Sequence, residues 1–167
     1  MNSKIKRMFL ALLLITSSSL CFGEQISFQI VQHNKSVEDV SEEAYLVEDA
    51  LISSFFDSGY IVTNSLASLS KNSRTDKKLW KIGAEEAVEG GSDYFVQIIL
   101  YFTQNEGPAP KQDLMILESV EYKFSRTDSL ENTVEGKWDC NVELMDADDM
   151  KPVTDTLISE IYKVIKA

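Results

Sequence analysis

The chain is poor in the residues that carry most protein chemistry. Its 167 residues include one histidine, His33, and two cysteines, Cys21 and Cys140. Zinc sites usually draw on several His and Cys ligands, so no metal centre is expected. No serine lies in a Gly-x-Ser-x-Gly elbow, which argues against a hydrolase nucleophile of that kind. Positive charge is also scarce: 16 Lys and Arg face 27 Asp and Glu, for a formal charge of −11. That surface repels phosphates and anionic head groups, so nucleic acid and acidic lipid are not expected partners. Beyond the amino terminus, the run from Tyr94 to Phe102 contains Gln97. It is far shorter than the ~20 apolar residues a membrane-spanning helix needs. What the chain does have is 44% apolar content, which at this length supplies one core and one domain.

The amino terminus reads as a secretory signal. Lys4, Lys6 and Arg7 precede the apolar stretch Met8–Ile15, and small residues follow up to Gly23. The expected organisation is a signal peptide over 1–23, cut after Gly23, and a single domain over 24–167. Loss of the three positive charges moves the formal charge from −11 to −14, with 13 basic and 27 acidic residues remaining. Cys21 sits where bacterial lipoproteins are acylated. Leu20 before it and Ser18 three before it reverse the preferred order, so membrane contact is expected only if Cys21 carries a lipid. With Cys21 removed, Cys140 has no partner for an internal disulfide. Asn34-Lys-Ser36 matches the glycosylation sequon, a tripeptide that is common by chance.

Hydrophobic spacing then sets out the domain. Ile26, Phe28 and Ile30 alternate with polar residues, a first strand ending near His33-Asn34. Asp39 with Glu42 has capping-box spacing, and Val40, Ala44, Val47, Leu51 and Phe55 form a helical stripe that stops at Gly59. Tyr60–Thr63 is a short strand, and the Ser- and Asn-rich residues 64–76 are expected to be a loop. A second helix spans Asp76 to Glu89, with either Leu79, Ile82 and Val88 or Trp80, Ala84 and Ala87 facing inward. The apolar strand Tyr94–Phe102 follows, then a loop marked by GPAP at 107–110.

A strand over 114–125 turns Val120, Tyr122 and Phe124 inward and Glu121, Lys123 and Ser125 outward. After the turn Thr127–Asn132, a last strand puts Val134, Gly136, Trp138, Cys140, Val142 and Leu144 on one face, which buries Cys140. Pro152 suits the first turn of a closing helix with Val153, Leu157, Ile161 and Val164 or Ile165 inward. The order is β-α-β-α-β-β-β-α, an α/β fold with one five-stranded mixed sheet covered by helices. Helical connections make the first three strands parallel, and loops make the last three an antiparallel meander. The doubly apolar strand belongs at the centre, in strand order 2-1-3-4-5.

The motifs that resemble sites have simpler readings. Gly90-Gly91 follow a helix and precede a strand, the reverse of a phosphate-binding loop, so they read as a helix stop. His33, at a strand end, is expected to be a solvated loop residue. Asp146-Ala-Asp148-Asp149 fails the calcium-loop pattern, because Lys151 and Leu157 occupy the sixth and twelfth positions. It reads as a solvated turn capping the last helix. The pairs Glu42-Glu43 and Glu85-Glu86 read as polar helix faces.

Two stretches carry a resemblance. ALISSFFDSGYIVTNS, a helix ending in Gly59 before a strand, and EEAVEGGSDYFVQIIL, a helix, glycines and an apolar strand, resemble the bacterial envelope domains of the TolB amino terminus, CsgG and LpoB. The chain lacks the acylation pattern of the lipoprotein members and carries no propeller. The resemblance implies a periplasmic α/β domain that binds other proteins and has no catalytic residues. The expectation is therefore an exported, non-enzymatic module with no cofactor, catalytic or metal residues, and another envelope protein as partner. Docking is expected on a sheet edge, or on the segments 64–76 and 104–113. The alternative is a module binding a small ligand or cation in the crevice near Asn34-Lys35 and Thr103-Gln104.

Overall fold

A computed structural model describes residues 23–33, 38–104, 115–143 and 147–166. The strands are β1 (Gln25–His33), β2 (Ile61–Ser70), β3 (Tyr94–Gln104), β4 (Met115–Arg126) and β5 (Thr133–Glu143). The helices are α1 (Glu42–Asp57), α2 (Ser73–Glu89) and α3 (Lys151–Ile165), with a 3-10 turn at Ala147–Met150. One sheet holds all five strands in the order β2-β1-β3-β4-β5. β2, β1 and β3 are parallel, while β4 and β5 continue antiparallel. Fold class, element order and strand order are those expected from the spacing of apolar residues.

The sheet has two unequal sides. Ile26, Phe28 and Ile30 of β1, Tyr94, Val96, Ile98 and Leu100 of β3, and Val120, Tyr122 and Phe124 of β4 face α1 and α3. Ala44, Val47, Leu51 and Phe55 from α1 and Val153, Leu157 and Ile161 from α3 close this main core. The other side is covered by α2 alone, and its apolar cluster is small: Ala84, Ala87 and Phe95, with Trp80 and Leu130 at its margin. Of the two stripes open for the second helix, the one through Trp80, Ala84 and Ala87 is inward, leaving Ile82 and Val88 exposed. This second side carries the buried polar residues Ser27, Gln29, Ser70, Asp76, Gln97, Ser119 and Ser125.

Both glycine stops work as expected. Gly59 has φ +89° and Gly91 φ +73°, the left-handed region in which a Cβ is strained. Gly91 N–H donates to the Val88 carbonyl at 3.1 Å and Ser92 N–H to the Ala87 carbonyl at 2.9 Å. Gly59 N–H and Tyr60 N–H bond the Phe56 and Phe55 carbonyls in the same pattern. These paired bonds satisfy carbonyls that a helix end leaves free, and the Tyr60 ring packs edge-on to Phe55.

Several expectations need correction. β2 runs to Ser70, so residues 64–70 are strand, and α2 already begins at Ser73 behind an Asn72 cap whose Oδ1 accepts from Thr75 N–H at 3.0 Å. The alternation of β2 was hidden by a bulge, because Leu66 and Ala67 stand opposite the single residue Ile30. The cap of α1 is Ser41, not Asp39, and its backbone N–H is held by Gln32 Oε1 at 2.8 Å. Ser125 is buried, not outward: the turn after β4 folds back so that the carbonyls of Arg126, Ser129 and Asn132 lie 3.1–3.3 Å from its hydroxyl. Cys140 is only half-buried, because β5 is an edge strand with a bulge at Cys140 and Asn141, and its thiol donates to the Leu117 carbonyl at 3.4 Å. The cap of α3 falls on Met150, not on the acidic turn. Leu144, Asp146 and residues 105–114 lie outside the described residues.

Candidate functional site

Two features could meet a partner: the free edge of the sheet at β2, and a groove on the side that α2 covers.

β2 is a terminal strand of ten residues, IVTNSLASLS, bonded to β1 only among the described residues. It holds no charge and no proline, in a chain that is 26% charged. Edge strands are commonly protected by lysine, proline, bulges or shortness, and here one bulge is the only such device. Leu66, at that bulge, is 86% exposed and Ile61 is 47% exposed. The opposite edge differs. β5 carries Glu135, Lys137, Asp139 and Glu143 as well as its own bulge, where Asn141 takes φ +50°.

The groove has a volume of about 290 Å³ and runs between the first turns of α2 and the carboxyl half of β3. β1 sends its crossover through α1 on one side of the sheet, and β2 returns through α2 on the other, so the ends of β1 and β3 are a switch point. The groove is not at that point, since no β1 residue lines it: α2 packs on β1, β2 and β3, and the groove lies beside it, with Glu121 and Lys123 of β4 and Glu135 of β5 as its far wall. Gly83 lets α2 come close: a Cβ there would stand 2.5 Å from Cζ of the buried Phe95.

Gln97 ties the two walls together, its amide donating to Gln29 Oε1 at 3.1 Å and to the Asp76 carbonyl at 3.2 Å. Asp76 is 7% exposed, and its Oδ1 has no hydrogen-bond partner among the described residues. Tyr101 donates its hydroxyl to Glu121 Oε2 at 3.0 Å. Burial first, then Glu121, then Asp76 push the Tyr101 phenol far up, so it stays protonated. Lys123 bonds Glu135 at 3.0 Å and lies 4.8 Å from the Trp80 ring centre, and Lys137 lies 4.3 Å from that of Tyr101.

His33 is not the solvated loop residue expected. It is the last residue of β1, paired in register with Ser70 and Tyr101, with its ring 4.8 Å from that of Tyr101. Both ring nitrogens are buried and without a hydrogen-bond partner among the described residues. The structure thus brings His33, Asp76 and Tyr101 to one end of one sheet face, close to the crevice expected from Thr103-Gln104. Asn34 and Lys35 lie outside the described residues. Asp76 was missed by sequence reading because it looked like a helix start, and a buried aspartate has no local signature. Among the described residues no group of three or more His, Cys, Asp or Glu is arranged to hold a metal ion. No helix among them is long and apolar enough to cross a membrane.

The architecture is a five-stranded mixed α/β sheet with one helix on one side and two on the other. The chain belongs to a family whose model matches residues 25–166 and whose description reads "Uncharacterised protein". No curated protein matches it. Among solved structures it is similar to the PelC dodecamer of Paraburkholderia phytofirmans, at 9% identity over 70% of this chain and 71% of that one, with a TM-score of 0.43. It is also similar to the lipoprotein GNA1162 of Neisseria meningitidis, at 11% identity over 84% and 98% of the two chains and a TM-score of 0.34. The protein XCC0632 of Xanthomonas campestris matches at 15% identity over 81% and 84%, with a TM-score of 0.30. At these scores the likeness carries no functional assignment, and none of the three is TolB, CsgG or LpoB.

Proposed function

We propose that this is an exported, non-enzymatic protein of the bacterial envelope that works by accepting a strand of another envelope protein along β2. The observation that carries the reading is the uncharged ten-residue edge with Leu66 and Ile61 exposed on it. A free edge offers unpaired backbone donors and acceptors, and a partner strand satisfies them while its alternate side chains supply specificity. Export rests on Lys4, Lys6 and Arg7 followed by Met8–Ile15, read as a signal peptide. The expected TolB, CsgG or LpoB-type behaviour, protein binding without catalysis, is consistent with this use of the domain. Of the segment 64–76, expected to dock as a loop, residues 64–70 enter the proposal as part of strand β2.

Recovery of partners from envelope extract tests it, comparing the protein with an Ile61→Lys, Leu66→Lys variant. Both positions are exposed, so the variant is expected to fold and unfold as the parent does. Loss of a recovered species from the variant supports docking on β2, and unchanged recovery overturns it.

A further inference from the structure

The groove beneath α2 is lined by Asp76, whose buried Oδ1 has no donor among the described residues. A buried carboxylate oxygen with no hydrogen bond costs the free energy of its lost hydration. Asp76 does not offset that cost by capping its own helix, because Asn72 already fills that role. A second carboxylate, Glu121, stands across the groove on the Tyr101 hydroxyl. Of the cations there, Lys123 is committed to Glu135 and the face of Trp80, and Lys137 lies over the ring of Tyr101. The lining thus has a free acceptor and three carboxylates, Asp76, Glu121 and Glu135, against two lysines, Lys77 and Lys123. It also has an apolar and aromatic floor in Ile99, Trp80 and Tyr101.

We propose that this groove binds a small molecule through a protonated amine, with Asp76 Oδ1 as the acceptor of its N–H and the hydrocarbon part of the ligand lying along Ile99 and Trp80. An ammonium supplies both the donors that Asp76 lacks and a charge favoured by Asp76 and Glu121. Its apolar part gains by leaving water against the floor. The volume of about 290 Å³ lies at the small end of ligand pockets, which suits a single compact amine and not a polymer. The site is independent of β2, so docking on that edge and amine binding stand or fall separately.

The test is a titration of the isotopically labelled full chain, followed by NMR, with three probes of one shape: benzylamine, benzyl alcohol and benzoate at pH 7. Benzylamine, protonated at that pH, is expected to shift the Trp80 indole N–H and the Ile99 and Gln97 amides in a saturable way. Benzyl alcohol is expected to bind at least about tenfold more weakly, and benzoate not at all. Asp76→Asn is expected to weaken benzylamine about tenfold or more, while Glu85→Gln, on the exposed far face of α2, leaves it unchanged. Contacts from the benzyl ring to Trp80 and Ile99 protons, read in the unmodified chain, locate the site even if Asp76→Asn does not fold. Equal response to all three probes overturns the proposal. So does the absence of any shift at about 10 mM benzylamine, the result expected if the groove holds only water.

Discussion

Replacing Gly83 by alanine measures how closely α2 lies on the sheet, on which the groove depends. A Cβ at this position would stand 2.5 Å and 3.0 Å from Cζ and Cε2 of Phe95, and 3.4 Å from Cδ of Gln29. Neither neighbour has room to yield. Phe95 is fully buried with the Trp80 ring centre 4.9 Å away, and Gln29 is held by Gln97. Alanine in a helix interior gains about 1 kcal/mol over glycine. Forcing a methyl group into a filled core costs about 1–3 kcal/mol, and the enclosed ring puts this site in the upper part of that range. The net expectation is a loss of about 1–2 kcal/mol. Urea unfolding followed by tryptophan fluorescence reads it as a midpoint lowered by roughly 0.5–1 M at unchanged slope. Phe95→Leu in the Gly83→Ala background is expected to restore part of the loss, a coupling that only contacting residues show. A midpoint that rises by the full propensity gain would refute the close approach, and with it the groove as described.

Other outcomes follow from the same structure. Leu157→Ala, at a position 1% exposed between α3 and the sheet, is expected to cost about 2–5 kcal/mol in the same unfolding assay. Burial raises the Glu48 carboxyl above its ordinary 4.5, with nearby Asp49 adding to the rise and the bond from Asn64 opposing it. The stability linked to that shift is full below about pH 4.5 and is lost as pH rises through the folded-state value. Glu48→Gln is therefore expected to raise stability at pH 7 and to lose that advantage near pH 4, as read by thermal unfolding across pH. Burial likewise raises the Cys140 thiol, so alkylation at pH 8 is expected to be slower in the folded chain than in urea, with a single thiol modified after export. Gly136→Val is expected to destabilise, since any Cβ there meets the Tyr122 ring that covers the glycine across the strand pair.

Most of the architecture was legible because it rests on long apolar periods. The stripes of α1 and α3, the doubly buried β3 and the two glycine stops are each enforced by several residues at once. The strand order followed from the crossover rule and from placing β3 at the centre. Legibility failed where polar residues do structural work. Beyond Thr63, β2 reads as a loop because Asn64, Ser65, Ser68 and Ser70 are turn-forming residues. In the fold Asn64 bonds Glu48 of α1, Ser65 bonds Glu86 of α2 at 2.6 Å, and the bulge breaks the alternation. His33 was misplaced because its neighbours Ser70 and Tyr101 are distant in sequence, and Ser125 because the turn that follows it folds back over its hydroxyl. The groove was not legible, since the crevice expected near Asn34-Lys35 and Thr103-Gln104 shares none of its lining residues. Its free acceptor, Asp76, depends on how α2 is seated by Gly83 and Gln97, and no local pattern records that.

The central claim is that β2 is the docking edge and β5 is not. Photo-crosslinking in cells that export the protein tests it directly, with a photoreactive residue at position 66 on β2 or at position 135 on β5. A specific adduct with a second envelope protein from position 66, and none from 135, is the expected result. The same adduct from both positions, or from 135 alone, would contradict the claim.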